Sequence, residues 1–111
     1  MLDATLAVTT DAEAAFALTV ENVGSEAVSL SFRDGQRAEF VVERTADGET
    51  IWRWSDDRMF SMAVESDALS PGAATTYEAT WSAPQSGDYV ARAWLTATDT
   101  DVEAETAFVV P

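Results

Sequence analysis

The chain has 111 residues, enough for one domain with a two-layer core. A hydrophobic share of 47% predicts a folded protein, and a net charge of −14 argues against partners that are themselves polyanions, nucleic acid and anionic membrane surfaces included. Cysteine and histidine are absent, which excludes a disulfide framework, thiolate and imidazole metal sites, and the commonest general base.

The six basic residues are all arginine (Arg33, Arg37, Arg44, Arg53, Arg58, Arg92) against 20 acidic residues, and lysine is missing. This balance, with its abundant Ala and Thr, resembles proteins of organisms that keep molar salt in the cytoplasm, haloarchaea among them; an ordinary acidic soluble protein is the plainer alternative. In ~1 M salt the screening length is roughly 3 Å, so repulsion among carboxylates nearly vanishes. Salt adaptation therefore predicts a melting temperature that rises from dilute buffer to molar KCl, and an unchanged one would remove the idea. The N-terminal MLDATLAVTT has neither the basic region nor the apolar run of a signal peptide, and no apolar stretch approaches a membrane span. Opening on Met and passing directly into a strand pattern, the chain is expected to be a complete cytoplasmic protein.

Alternation with period two runs through the sequence. Leu2, Ala4, Leu6 and Val8 share one face of a first strand, and Phe16, Leu18 and Val20 one face of a second. Asn22-Val23-Gly24-Ser25 reads as a turn with Gly24 at positive φ. Val28, Leu30 and Phe32 precede Asp34-Gly35, a hairpin signal; Ala38, Phe40 and Val42 alternate with Glu39 and Glu43 before a second such pair, Asp47-Gly48. Trp52 and Trp54 fall on one face of the next strand, with Ile51, Arg53 and Ser55 opposite. Phe60, Met62 and Val64 predict another strand, and Ser66–Ala74 a loop around the type II turn signal Pro71-Gly72. Tyr77, Ala79 and Trp81 share a face. The strand from Tyr89 to Leu95 is apolar on both faces, which predicts a central position. Val102 to Val110 closes the chain, with Glu103 and Glu105 guarding an edge. Gly87-Asp88-Tyr89 reads either as the tyrosine corner of immunoglobulin-like folds or as a strand that begins with Gly-x-Tyr. Eight or nine short strands with regular turn signals predict an all-β, immunoglobulin-like antiparallel β-sandwich filling residues 1–111 as a single domain.

Chemistry is thin. Serines are present without a His or Lys to activate them, and no G-x-S-x-G motif occurs. No carboxylate pair stands out as an acid–base dyad, so an enzyme is not expected. Asp99-Thr100-Asp101 and Asp56-Asp57 are the nearest approach to a calcium loop and read more simply as solvated turns, so neither a metal nor a cofactor is assigned. Binding is the remaining class. Two connections are candidates, Ser55–Phe60 and Ser82–Asp88. The first mixes Arg, Met and aromatic residues, the types enriched at interface centres, although Trp52, Trp54 and Phe60 read better as core.

Several motifs in fixed order carry a resemblance. Gly35-Gln36-Arg37-Ala38-Glu39-Phe40 is followed by Gly48-Glu49-Thr50-Ile51-Trp52-Arg53-Trp54-Ser55, then Phe60, Leu69-Ser70-Pro71-Gly72, Tyr77, Trp81 and Gly87-Asp88-Tyr89. From about Phe16 to Leu95 the chain resembles the intracellular proteinase inhibitor (BsuPI) family of small, cysteine-free, immunoglobulin-like proteins. It departs from the pattern at Ala38, where the family often has Tyr or Phe. The resemblance implies an intracellular inhibitor or regulator of a subtilisin-like serine proteinase that acts by protein–protein binding, here expected to be a monomer. A non-inhibitory interaction or structural module is the alternative. The expected partner-binding loop is Ser55, Asp56, Asp57, Arg58 and Met59, with Arg58 or Met59 as the side chain entering a specificity pocket.

Overall fold

The computed structural model describes residues 1–56 and 58–111. It contains nine strands: β1 (Leu2–Thr10), β2 (Ala14–Asn22), β3 (Val28–Phe32), β4 (Ala38–Arg44), β5 (Thr50–Arg53), β6 (Glu65–Leu69), β7 (Ala74–Trp81), β8 (Gly87–Leu95) and β9 (Glu103–Val110). All pairings are antiparallel and form three ladders, β1-β2-β7, β3-β6 and β5-β4-β8-β9. The result is an immunoglobulin-like sandwich, with β8 inside its sheet as its two apolar faces predict. At one side β1 and β9 lie against each other. No helix long and apolar enough to cross a membrane is present among the described residues.

Alternation places the core. Phe16, Leu18 and Val20 of β2, Phe40 and Val42 of β4, and Tyr89, Ala91, Ala93 and Leu95 of β8 are buried between the layers, with Leu30, Phe32 and Trp81. Each large apolar side chain buried this way contributes roughly 1.5–3 kcal/mol before entropy is subtracted. A file of rings crosses the core. Trp81 stacks on Trp52 (centroids 6.3 Å apart), Trp52 on Phe16 (5.6 Å), and Phe16 meets Phe40 (6.4 Å). Phe40 meets the edge of Trp54 (6.2 Å), and Trp54 meets Phe60 (5.6 Å). Trp52 and Trp54 are thus packed against the core, as their shared face predicts.

The Gly-x-Tyr segment is a tyrosine corner. The Tyr89 hydroxyl donates to the Gln85 carbonyl (2.7 Å), and the ring folds over Gly87, where a Cβ would meet the hydroxyl at 3.3 Å. Gly87 also has φ +155°, so both backbone and space require glycine.

Four expectations from the sequence need correction. The strand predicted over Phe60–Val64 is absent: residues 58–64 form no ladder, and the strand runs Glu65–Leu69, all but its first residue inside the segment expected to be loop. Backbone pairing with β3 and the ion pairs of Arg37 with Glu65 (3.4 Å) and Asp67 (3.6 Å) hold β6 in place, and only Leu69 of it is buried, so alternation could not find it. Asp34-Gly35 does not close a hairpin, because β3 and β4 belong to different ladders; it carries the chain across the sandwich. Gly24 does not adopt positive φ; a Cβ there would lie 2.9 Å from the Met1 nitrogen, so close approach is what excludes a side chain. Finally Glu39, assigned by alternation to the solvent face of β4, is only 5% exposed.

Candidate functional site

The connection after β5 is built on the buried Glu39 carboxylate. Its Oε1 accepts from the Phe40 N–H (3.0 Å) and, sixteen residues away, from the Ser55 N–H (3.2 Å). Its Oε2 accepts from the Gln36 amide (3.2 Å) and lies 3.7 Å from the Arg53 guanidinium. Trp54 extends the β4–β5 ladder by donating its N–H to the Phe40 carbonyl (2.9 Å). Gln36, Glu39, Phe40, Arg53, Trp54 and Ser55, scattered through two sequence motifs, therefore meet in one place. Their shared task is to fix the start of the connection.

From there the chain makes two overlapping turns, Asp56 N–H to Arg53 C=O and Arg58 N–H to Ser55 C=O (both 3.2 Å). Arg58 folds back: its Nε donates to the Trp54 carbonyl (2.8 Å), and its guanidinium covers the Trp54 ring 4.5 Å from the centroid. This combines a charge-assisted hydrogen bond with a cation–π contact. Phe60, half-buried, packs on the same Trp54 ring (centroids 5.6 Å apart), and the Ser61 carbonyl accepts from the Gly35 N–H (2.8 Å). A Cβ on Gly35 would meet the Ser61 nitrogen at 3.1 Å, so the tether needs a glycine at that point. Between these supports Met59 is 99% exposed, and beyond them Met62 and Val64 are 86% and 79% exposed.

Of the five expected loop residues, Ser55 is half-buried and anchored, Asp56 is exposed, Arg58 is exposed but held against Trp54, and Met59 stands in solvent. Asp57 lies outside the described residues. Met62 and Val64 extend the exposed apolar strip. The sequence had them as one face of a strand, a reading that period two invites wherever no partner strand can be checked. The other candidate connection, Ser82–Asp88, is tied down by Tyr89 on Gln85 and by the Ser86 hydroxyl, which donates to the Pro111 carbonyl (2.9 Å).

Two further features bear on chemistry. Asp99 uses its carboxylate to accept from the Ser31 N–H (3.0 Å), and that bond holds its pKa below the ordinary carboxylate value. No cluster of three or more carboxylates able to hold a metal occurs among the described residues. On the outer face of the β5-β4-β8-β9 sheet an open groove of ≈ 510 Å³ is lined by Val41, Arg53, Arg92 and Trp94, among others. Its cations are already matched, Arg92 to Glu43 and Glu105 (both 3.2 Å) and Arg53 to Glu39.

Comparison with known proteins gives two kinds of result. Residues 2–100 match the model of the BsuPI family, described as intracellular proteinase inhibitor. No individually curated protein matches the chain. Among solved structures it is similar to a β-glucosidase from Kluyveromyces marxianus in complex with glucose, at 13% identity and a TM-score of 0.53, over 100% of this chain and 14% of that one. It is similar at 14% identity and a TM-score of 0.53 to β-glucosidase 3B from Thermotoga neapolitana in complex with glucose, over 99% of this chain and 16% of that one. A CARDB domain from Pyrococcus furiosus gives 18% identity and a TM-score of 0.45 over 98% and 86% of the two chains. The chain spans only a small part of each β-glucosidase, and at these identities the likeness concerns the fold alone.

Proposed function

The chain belongs to the intracellular proteinase inhibitor (BsuPI) family, and we propose that within it this protein inhibits a subtilisin-like serine proteinase by presenting the connection Ser55–Met59 to the enzyme's cleft. Family membership marks the chain as a binding protein rather than an enzyme. The single observation that carries the loop assignment is the contrast within it: the supports on either side are fixed to the core, and the side chain between them touches nothing. An inhibitor gains affinity when its contact segment is already ordered, because little conformational freedom is lost on docking.

Arg58 and Met59 were equal candidates for the specificity pocket, and their surroundings favour Met59. Moving Arg58 into a pocket would break its bond to the Trp54 carbonyl and its contact with the ring. Met59 enters without losing anything. Met59→Ala is expected to weaken inhibition of a subtilisin about 30-fold or more, the scale of an interface hot spot, and Arg58→Ala to weaken it less. Inhibition constants measured in molar salt decide the matter; undiminished inhibition by the double Ala variant would refute the assignment. Resistance to digestion with no inhibition is the result expected of the competing reading, a non-inhibitory interaction module.

The setting we propose is a salt-rich cytoplasm, with the protein acting as a monomer. Glu39 is the only buried acid among the described residues, so the excess carboxylates lie at the surface, where screening by salt relieves them.

A further inference from the structure

We infer that Met59 and Met62 form an oxidation site, and that their conversion to sulfoxides switches the loop off; the switch rests on the inhibitor reading above. The chain has no cysteine, so methionine holds its only oxidisable sulfur. It has three methionines, and two of them stand in this one loop, 99% and 86% exposed. Sulfur this open to solvent reacts readily with hydrogen peroxide.

In that step the Met59 thioether attacks one peroxide oxygen. The S–O bond forms, the O–O bond breaks, and the departing hydroxide takes the proton of the transferred oxygen to leave as water. Sulfur loses two electrons and the peroxide gains them. The product is a polar, chiral sulfoxide in place of a flexible apolar side chain. Burying it in an apolar pocket leaves a strong acceptor without a donor, so the complex weakens.

The fold is insulated from the change. Neither methionine belongs to the core or to the residues packed against it, and the loop is held by Glu39, Trp54, Phe60 and the Gly35–Ser61 tether, none of which peroxide needs to reach. Oxidation therefore separates binding from stability in one molecule, which an ordinary destabilising lesion cannot do.

The test treats the intact protein with hydrogen peroxide, maps sulfoxides by peptide mass spectrometry, and follows subtilisin inhibition and the melting temperature. Met59 and Met62 are expected to oxidise at close to the rate of free methionine. The melting temperature should hold while inhibition falls about tenfold or more. Methionine sulfoxide reductase with a dithiol should restore inhibition, and a variant carrying Met59→Leu and Met62→Leu, compared with its own untreated sample, should show no further change in inhibition on peroxide treatment. Full oxidation of both with unchanged inhibition overturns the switch, as does loss of inhibition in the Leu variant to the same extent. Failure of the untreated protein to inhibit overturns the inhibitor reading itself, and the untreated control distinguishes that failure from the others.

Discussion

Replacing Asn22 with Ala is expected to cost about 3 kcal/mol, more than most single substitutions outside the aromatic core. The side chain is fully buried at the end of β2, and every polar atom of it is used. Its amide donates to the Glu26 carbonyl (2.7 Å) and the Leu69 carbonyl (2.9 Å), and its oxygen accepts from the Gly24 N–H (3.0 Å). Its backbone joins the same knot, donating to the Ala73 carbonyl (3.0 Å) and accepting from the Gly72 N–H (2.8 Å). One residue thus ties the end of β2 to the approach of β3, the end of β6 and the turn before β7. Alanine would leave two carbonyls and an amide without partners in a closed space. The expected readout is a melting temperature lower by roughly 10–20 °C. Asn22→Asp should be worse still at neutral pH, because a carboxylate would face two carbonyl oxygens with no proton to offer. If Asn22→Asp melted like the parent, the donor role would be wrong.

Glu39→Gln is the second large effect, and it reaches the loop. The amide can still accept from Phe40 and Ser55, but its NH₂ would replace the oxygen that faces the Gln36 amide and the Arg53 guanidinium. Breaking one side of a buried charged network costs about 3 kcal/mol. The consequence for function is specific: Ser55 keeps a neutral acceptor in place of a charged one, its orientation no longer supported by Gln36 and Arg53, so the anchor weakens and the segment beyond it becomes a better substrate for a proteinase. Limited digestion well below the melting temperature should cut Glu39→Gln between residues 58 and 62 about tenfold faster than the parent, as the population of open loop rises. Arg53→Ala removes only the half-exposed partner at 3.7 Å and should change cleavage far less. Equal cleavage of Glu39→Gln and the parent would show that the loop does not depend on this carboxylate.

These two residues mark where the sequence was hardest to read. Apolar alternation found β2, β4 and β8 because their inward faces do the packing, and the paired tryptophans could be placed for the same reason. It misplaced β6 because only one side chain of that strand is buried, while Phe60, Met62 and Val64 imitate the period of a strand without any partner to pair with. Asn22 looked like an ordinary turn residue, and Glu39 an ordinary surface acid. Each combines near neighbours with one hydrogen-bond partner 16 or 47 residues away, and a local pattern contains no trace of the distant one. The family motif did contain Gln36, Glu39, Phe40, Trp54 and Ser55, yet only the geometry shows them gathered around the root of one loop.

The Gly35–Ser61 tether is made by backbone atoms alone. It fixes the path of the loop without specifying what Met59, Met62 or Val64 must be. Substitutions at those three positions can therefore accumulate, by drift or by library selection, with little effect on folding. Under the proposed inhibitor reading, target choice in this scaffold can evolve on a set of residues separate from the set that keeps the chain folded.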